Sequence, residues 1–312
     1  MYAAVVTDFA HPPTYGEFPG PQPATPDEVV VDVVAAGLHP LVRSRAAGTH
    51  YTSTGELPLV PGIDGVGRTP DGALRYFVVS SALGAMADQT VIDLRRSIVL
   101  PDNADPVSIA AAMNPAMSSW VALRQRVAMR PGQAVVVLGA TGSAGRLAVQ
   151  AAKILGAGAV VGVGRDRKQL EALPELGADD VIALDDLSTS LDRVMAADIV
   201  IDYIWGAPAA ELMAGFARGR HDSGQPLTWI QIGSMAGAVA DIPSAVLRSM
   251  PLQIVGSGIG SVSPADIVAE LPQLATEISQ GNLQTQARAV PLAEVEQAWP
   301  QPDNGQRVVF TP

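Results

Sequence analysis

The sequence predicts an α/β protein in which a doubly wound parallel sheet is joined to a β-rich part. From residue 135 to residue 258, short and nearly all-apolar segments alternate with helical ones, a pattern typical of a parallel sheet covered on both faces. Before residue 101, β-branched runs are separated by Gly and Pro, as in a β-barrel or a sandwich.

Composition narrows the possible functions. The chain has 312 residues, of which 48% are hydrophobic and 16% charged, which suits a folded globular chain and favours two domains. Lys and Arg number 20 and Asp and Glu 31, so the net charge is 20 − 31 = −11, which argues against a nucleic-acid partner. The chain has no cysteine, which excludes thiolate nucleophiles, disulfides and cysteine-rich zinc sites. Since it has neither a membrane-length apolar run nor a basic leader segment, we expect a cytoplasmic protein with no membrane partner.

The predicted elements follow in order along the chain. Short strands are expected at 29–34, 59–61, 74–79, 90–92 and 98–100. A helical stretch runs from Pro106 to Met129 and ends at Arg130-Pro131-Gly132. Strands then alternate with helices: strands at 135–139, 159–163, 180–184, 198–202, 228–233 and 251–258, and helices at 143–155, 167–176 and 207–216. The tail, with a helix at 264–280, a strand at 287–290, a helix from 292 and a strand at 307–310, is similar to the first part and is expected to join it.

A phosphate-binding turn follows the first strand of the alternating region. It reads Gly139-Ala140-Thr141-Gly142-Ser143-Ala144-Gly145, with Ala140, Gly142 and Gly145 at the small-residue positions of the dinucleotide fingerprint. The small residues allow a tight turn, close approach of the pyrophosphate and helix-strand packing, while the helix N-terminus offers free N–H groups. Because a strand precedes the turn and an amphipathic helix follows it, we predict a Rossmann-type dinucleotide site; a turn used only for packing is the alternative.

The end of the second strand favours NADP(H) over NAD(H). It reads Gly164-Arg165-Asp166-Arg167-Lys168. Position 164 has no carboxylate that could accept a hydrogen bond from a ribose 2′-hydroxyl, and three of the next four residues are cations. Arg165 is the preferred partner of a 2′-phosphate, with Arg167 and Lys168 beside it. The alternative is that Arg167 and Lys168 only solvate the next helix, with Asp166 as its N-cap.

With these motifs, the chain resembles the zinc-independent quinone oxidoreductase branch of the medium-chain dehydrogenase/reductases. The resemblance extends over nearly the whole chain, and it depends on the order and spacing of its segments. These are residues 35–40 (AAGLHP), 57–67 (LPLVPGIDGVG), 84–88 (GAMAD), 131–133 (PGQ), the fingerprint, 176–179 (LGAD) and 305–309 (GQRVV).

The resemblance implies both architecture and activity. A GroES-like β-barrel substrate domain would comprise 1–117 and 260–312, and the Rossmann NADP(H)-binding domain inserted in it would comprise 118–259, with the cofactor in a cleft. Hydride would pass from NADPH to a quinone or to the β-carbon of an α,β-unsaturated carbonyl. Homodimers would form through the strand at 252–256.

The resemblance also bears on metals. Where zinc relatives have Cys and a His-Glu pair, this chain has Leu38, His39, Ile63 and Asp64, which supply at most two ligands where a catalytic zinc needs about three. We therefore expect no metal. The chain departs from its relatives at His39, where Asn is usual, at Gln169, where Lys is usual, and in a shortened segment at 68–79.

Two side chains are candidates for the chemistry, which needs a group to stabilise the reduced oxygen. Tyr51 resembles the loop tyrosine that borders the active site in the family, and its phenol could donate to the oxyanion or only pack over the substrate. His39 could donate a proton near neutral pH, although a structural role is the alternative.

The remaining cofactor candidates stand at strand exits and on the long helix. Ser118 resembles the threonine of a family Thr-Ala-Trp segment. Ligands of such sheets bind beyond the carboxyl ends of the strands, although Gly and Ser are also ordinary turn residues. This argument selects the turns Asp202-Tyr203-Ile204, Gly233-Ser234 and Gly256-Ser257-Gly258, with Tyr203, Gly233, Ser234, Gly256, Ser257 and Gly258 as the cofactor-binding candidates.

Two other functions stay open at this stage. The same fold could serve a zinc-free alcohol dehydrogenase or an enoyl-thioester reductase. It could also serve an NADPH-binding sensor protein without turnover.

Overall fold

The computed structural model describes residues 1–79, 83–220, 222, 224–302 and 305–312, and it divides into two compact units. The first unit comprises Met1–Pro115 and Pro264–Pro312, and the second comprises Ala116–Ser263. Among the described residues, no helix has both the length and the apolarity needed to cross a membrane.

The first unit is built mostly of β-strands. Its strands are β1 (Tyr2–Val5), β2 (Thr14–Glu17), β3 (Glu28–Gly37), β4 (Asp64–Arg68), β5 (Leu74–Val78), β6 (Gln89–Asp93), β7 (Ser97–Val99), β14 (Ala287–Pro291) and β15 (Arg307–Thr311). Its helices are α1 (Pro40–Ala46), the first part of α2 (Pro106–Val121), α7 (Pro264–Ser279) and α8 (Val295–Ala298).

A seven-stranded sheet organises this unit. The order is β14-β15-β3-β4-β5-β7, and β6 also pairs with β3. The last strand of the chain pairs antiparallel with β3, with Val309 opposite Gly37 and Phe310 opposite Ala36. A buried apolar cluster that includes Val31, Phe77 and Phe310 packs between these strands and the C-terminal helical turn. Both ends of the chain thus contribute to one core.

The second unit alternates strands and helices. Its strands are β8 (Ala134–Leu138), β9 (Ala159–Gly164), β10 (Asp180–Ala183), β11 (Ile199–Asp202), β12 (Leu227–Gln231) and β13 (Leu252–Gly256). Its helices are α3 (Ser143–Ile154), α4 (Arg167–Glu171), α5 (Gly206–Gly219) and α6 (Val246–Ser249), together with the end of α2, which continues as a π-helical turn at Ala122–Arg126.

All six strands of the second unit are parallel, in the order β10-β9-β8-β11-β12-β13. Alternate residues of β8 enter two different apolar clusters: Val136 and Leu138 pack on one face of the sheet, and Val135 and Val137 on the other. Both faces are covered, which is why these strands are almost wholly apolar. The order reverses between β8 and β11, so the crevice for a ligand opens where these two strands end. The predicted α/β fold with a doubly wound parallel sheet is confirmed.

Several elements differ from those that the sequence predicts. The expected strand at 59–61 forms only isolated bridges, from Leu59 to Val6 and from Val60 to Leu83, because Pro58 and Pro61 flank it and lack the N–H groups that a ladder requires. The helix expected at 167–176 ends at Glu171 and is followed by a 3₁₀ turn from Pro174. Strand β4 and helix α1 were not predicted, because β4 contains two glycines and α1 is only seven residues long.

Candidate functional site

The turn after β8 lies at the switch point of the sheet. A Cβ placed on Gly145 would come within 2.7 Å of the Ala140 Cα and still closer to the Gly139 carbonyl oxygen. Both are backbone atoms, so only glycine lets α3 pack this closely on the strand, which is the role expected for this fingerprint position. Gly139 has φ +85°, a conformation that favours glycine.

The N-terminus of α3 is open to an anion. Gly142 is its N-cap and has no side chain to cap the helix, and the first turn contains no acidic residue. A Cβ on Gly142 would meet only the Gly139 carbonyl oxygen, at 3.5 Å, so space remains beside the helix end. The N–H groups of Ser143, Ala144 and Gly145 lie in this first turn, where backbone donors lack intrahelical acceptors.

The end of β9 adjoins this turn. A Cβ on Gly164 would collide with the side chain of Thr141, with 2.8 Å to the Thr141 Oγ1 and less to its methyl carbon. Asp166 is the N-cap of α4 and accepts a hydrogen bond from the Gln169 N–H at 3.1 Å. The capping role considered for Asp166 is therefore confirmed.

The three cations after Gly164 differ in their partners. Arg167 pairs with Asp186 at 3.1 Å, whereas Arg165 and Lys168 are exposed and make no side-chain hydrogen bond or ion pair with any residue that the structure describes. Gln169 accepts a hydrogen bond from the Arg146 guanidinium, so α3 and α4 are linked just behind the phosphate-binding turn. Two of the three cations are thus available to an anionic ligand.

Asp202 holds the turn at the end of β11, a role that the sequence analysis did not assign. Its buried carboxylate accepts hydrogen bonds from the Ile204 and Trp205 N–H groups, both at 2.8 Å, and from the Trp229 Nε1–H at 2.9 Å. Burial raises its pKa above the usual 3.8, although the three donors act in the opposite direction. The turn is tight: Trp205 has φ +53°, a left-handed conformation that is strained for a non-glycine residue.

The turns after β8 and β11 touch each other. A Cβ on Gly139 would lie 3.1 Å from the Ile204 Cγ2 and 3.2 Å from the Tyr203 Cβ. The Tyr203 hydroxyl lies 2.9 Å from the Ser118 Oγ, and burial raises the pKa of Tyr203 to about 12. Tyr203 therefore stays protonated near neutral pH and acts as a neutral hydrogen-bonding group beside Ser118.

The candidates after β12 and β13 occupy different places. Gly233 is adjacent to the switch point, since a Cβ there would lie 2.5 Å from the Tyr203 carbonyl oxygen, and exposed Ser234 follows it. The segment 256–258 follows β13, which is the edge strand of the sheet and the neighbour of β12. There Arg126 donates to the Gly256 carbonyl, Ser257 N–H to the Gln231 carbonyl and Gly258 N–H to the Ser261 Oγ. The structure thus brings the residues after β8, β9, β11 and β12 together, with the residues after β13 at the edge.

The catalytic candidates belong to the first unit. His39 is 2% exposed, and its Nε2 lies 3.4 Å from the Asp64 Oδ1, a contact whose geometry does not make a hydrogen bond. Neither ring nitrogen of His39 has a hydrogen-bond partner among the described residues. The Tyr76 hydroxyl donates to the Asp64 Oδ2 at 2.9 Å, and burial together with the Asp64 charge raises the pKa of Tyr76 well above its usual range.

Tyr51 differs from His39 in its environment. It is 73% exposed, and its ring centroid lies 4.2 Å from that of His50. Tyr51 therefore lies at the surface of the first unit. In the described parts of the chain, no three His, Cys, Asp or Glu side chains converge as metal ligands.

Known proteins similar in sequence to this chain include NADPH-dependent reductases. No protein-family model matches the sequence. A probable NADPH-dependent quinone reductase of Emericella nidulans is 31% identical over an alignment of 360 residues that covers 100% of both chains. An NADPH-dependent alkenal/one oxidoreductase of Arabidopsis thaliana is 27% identical over 196 residues, covering 57% of this chain and 50% of that protein.

Solved structures give the same fold. The quinone oxidoreductase of Thermus thermophilus, also solved with NADPH, superposes with a TM-score of 0.80 at 22% identity, covering 100% of both chains. An alcohol dehydrogenase superfamily protein from Novosphingobium aromaticivorans superposes with a TM-score of 0.83 at 22% identity, covering 100% of this chain and 99% of the other. With a full-length relative at 31% identity, the chain belongs to the quinone oxidoreductases of the medium-chain dehydrogenase/reductase superfamily, as its sequence resemblance predicts.

Proposed function

We propose that the chain is an NADPH-dependent reductase that acts on a quinone or on an α,β-unsaturated carbonyl. The observation that carries this proposal is the uncapped N-terminus of α3 at the switch point of the sheet, with free cations at the end of the neighbouring strand β9. The names of the relatives support the same activity. When bound, NADPH supplies the hydride, and the protein supplies binding, orientation and a proton.

The cofactor phosphates have clear candidate partners. The backbone N–H groups of 143–145 would bind the pyrophosphate, because a helix N-terminus attracts anions. Arg165 and Lys168 would bind the 2′-phosphate, since both are exposed and make no ion pair with a described residue. Arg167, held by Asp186, would contribute less than the sequence alone predicts.

The nicotinamide half would be held by the turns after β11 and β12. Asp202 fixes the backbone of 204–205 and the Trp229 indole, so the turn is rigid before a ligand arrives. Ser118, paired with the neutral Tyr203 hydroxyl, offers a polar contact at the same end of the sheet, and Gly233 with Ser234 offers the next turn. Gly256, Ser257 and Gly258 would border this site from the edge strand.

We propose that Tyr51 and His39 act on the substrate that accepts the hydride. The exposed phenol of Tyr51 would donate a hydrogen bond to the oxygen that gains charge on reduction. The ring nitrogens of buried His39, which have no hydrogen-bond partner among the described residues, make it a second proposed proton source, with its Nε2 3.4 Å from the Asp64 Oδ1. We propose that the reaction proceeds without zinc, because His39 and Asp64 are two donors where a catalytic zinc site needs about three.

We also propose a homodimer that forms through β13. This strand ends the order of the six-stranded sheet, and its residue Ile254 is 37% exposed. An unpaired strand edge with an apolar side chain is suited to pairing with the same strand of a second copy.

The test is a fluorescence titration of the protein with NADPH and with NADH, repeated with 1,4-benzoquinone. Arg165→Ala is expected to weaken NADPH binding by roughly ten- to a hundredfold, the range for a lost hydrogen bond to a charged group, and to change NADH binding little. Arg167→Ala is the matched comparison and should weaken NADPH binding less than Arg165→Ala does, since the Arg167 guanidinium is already engaged by Asp186. An equal loss for both cofactors in Arg165→Ala would remove the 2′-phosphate assignment, and tight binding without quinone-dependent oxidation would favour a sensor protein.

A further inference from the structure

A cavity of about 260 Å³ lies within the first unit. It is lined by residues of α1, by the loop that follows Tyr51 and by residues 59–63. Since one water occupies about 30 Å³ of liquid, the cavity could hold roughly nine waters or a ligand arm of similar size. Its apolar walls include Phe9, Val42, Leu59 and Ile63.

Two side chains in this lining, Arg45 and Ser53, have donors without an acceptor among the described residues. Arg45 is half-buried, and its guanidinium makes no hydrogen bond or ion pair with any described residue. The Ser53 hydroxyl is buried and has no hydrogen-bond partner in the described part of the chain. By contrast, Arg43 on the same helix donates to the carbonyl oxygens of Trp299 and Gln301. Because a buried hydroxyl without a partner is costly, Ser53 indicates an acceptor atom from a ligand, and the half-exposed guanidinium of Arg45 in the same lining could bind the charge of that ligand.

The lining also sets the charge of such a ligand. A guanidinium presents paired N–H groups that match a carboxylate, and a hydroxyl can donate a further bond. One guanidinium balances the charge of one carboxylate, and the exposed Glu56 in the same lining opposes a dianion such as phosphate more strongly than it opposes a carboxylate. The positive charge of Arg45 is felt nearby, since burial and then the Arg45 charge lower the pKa of His50.

We propose that this cavity is a subsite for the carboxylate of an acidic acceptor, bound by Arg45 and Ser53 with its apolar stem against Phe9, Val42 and Leu59. The proposal rests on the reductase function proposed above and narrows its substrate class to acceptors with one carboxylate arm. It makes Arg45 and Ser53 specificity-determining residues.

The experiment compares two quinones that differ only in charge: 1,4-benzoquinone with a carboxyethyl substituent, and its methyl ester. The two-carbon spacer separates the charge from the ring, so the two reduction potentials stay close. The kcat/KM of the acid is expected to exceed that of the ester by roughly tenfold, and Arg45→Gln is expected to reduce this ratio to about one. Ser53→Ala should reduce it less, and it serves as a second variant if Arg45→Gln does not fold.

A control variant and a binding measurement make the outcome decisive. Arg248→Gln removes the same charge from an exposed position in the second unit and should leave the ratio unchanged. Calorimetric titration with the two corresponding hydroquinones measures the subsite without turnover, so it still decides the proposal if neither quinone oxidises NADPH and the reductase function fails. Equal binding of acid and ester hydroquinones, or an acid preference that persists in Arg45→Gln, would overturn the subsite.

Discussion

Removal of the Asp202 carboxylate should destabilise the second unit by an amount that its hydrogen bonds determine. Asp202→Ala leaves the buried Ile204 N–H and Trp229 Nε1–H without acceptors, in addition to the partly buried Trp205 N–H. A buried donor without a partner costs about 1–3 kcal/mol, so the two buried ones predict a loss of roughly 2–6 kcal/mol. Asp202→Asn keeps one oxygen for the two backbone donors but turns an amide NH₂ toward the indole N–H, which predicts a loss of about 1–3 kcal/mol.

Urea unfolding followed by tryptophan fluorescence is the assay. Trp120, Trp205 and Trp229 belong to the second unit and only Trp299 to the first, so the signal reports mainly on the second unit. Asp185→Ala, an exposed carboxylate in the same unit, is the control and should change the free energy of unfolding by no more than about 0.5 kcal/mol. If Asp202→Ala were as stable as that control, the hydrogen-bond argument would be wrong.

The pH dependence of the Asp202→Asn effect is a second test of the environment of Asp202. Burial raises the pKa of Asp202 above 3.8, so the folded chain binds this proton more tightly than the unfolded chain does. The resulting stabilisation is complete below 3.8 and is lost as the pH rises through the raised value. Because asparagine does not titrate, the stability difference between wild type and Asp202→Asn should decrease as the pH rises through that window. A difference that grows with pH would mean that the three donors outweigh burial.

Three further predictions concern cofactor, chemistry and assembly. Gly145→Ala places a Cβ against the Gly139 and Ala140 backbone, and NADPH affinity measured by fluorescence should fall by at least roughly tenfold; unchanged affinity would contradict the close packing at this turn. Tyr51→Phe should lower kcat by roughly tenfold, less than for a fully buried oxyanion donor because solvent can replace an exposed phenol, and an unchanged kcat would reduce Tyr51 to a packing role. If the proposed dimer forms, Ile254→Lys should convert it to a monomer in sedimentation velocity, and a dimer that persists in this variant would exclude pairing through β13.

The sequence predicts the second unit better than the first. In β8 every residue from 135 to 138 is apolar, because both faces of the sheet are buried, and this strong pattern marks strand positions and the turn at 139–145. In the first unit, β4 reads Asp-Gly-Val-Gly-Arg, and its position depends on pairing with two other strands. Strand β3 is distant in sequence, and β5 follows β4 across a turn. Local pattern carries no information about such pairing.

A sequence motif predicts part of the candidate site, whereas the rest depends on contacts between residues far apart in sequence. Fingerprint positions such as Gly142 and Gly145 have roles that backbone geometry dictates, and the sequence motif identifies them. The ion pair between Arg167 and Asp186 spans 19 residues and distinguishes Arg167 from Arg165, which sequence spacing alone could not do. Only the structure shows that Arg45 and Ser53 line one cavity and that neither side chain has a hydrogen-bond partner among the described residues.

The contact between Gly164 and Thr141 constrains how cofactor preference could evolve. A change of cofactor preference from NADPH to NADH would require a carboxylate at position 164 that accepts hydrogen bonds from the ribose hydroxyls. A side chain at that position, however, meets the Thr141 methyl and hydroxyl groups. Gly164→Asp alone should therefore damage the turn before it can improve NADH recognition, whereas Thr141→Gly first makes room for it. We therefore expect the two positions to be epistatic, with the order of the two mutations deciding how stable the intermediate enzyme is.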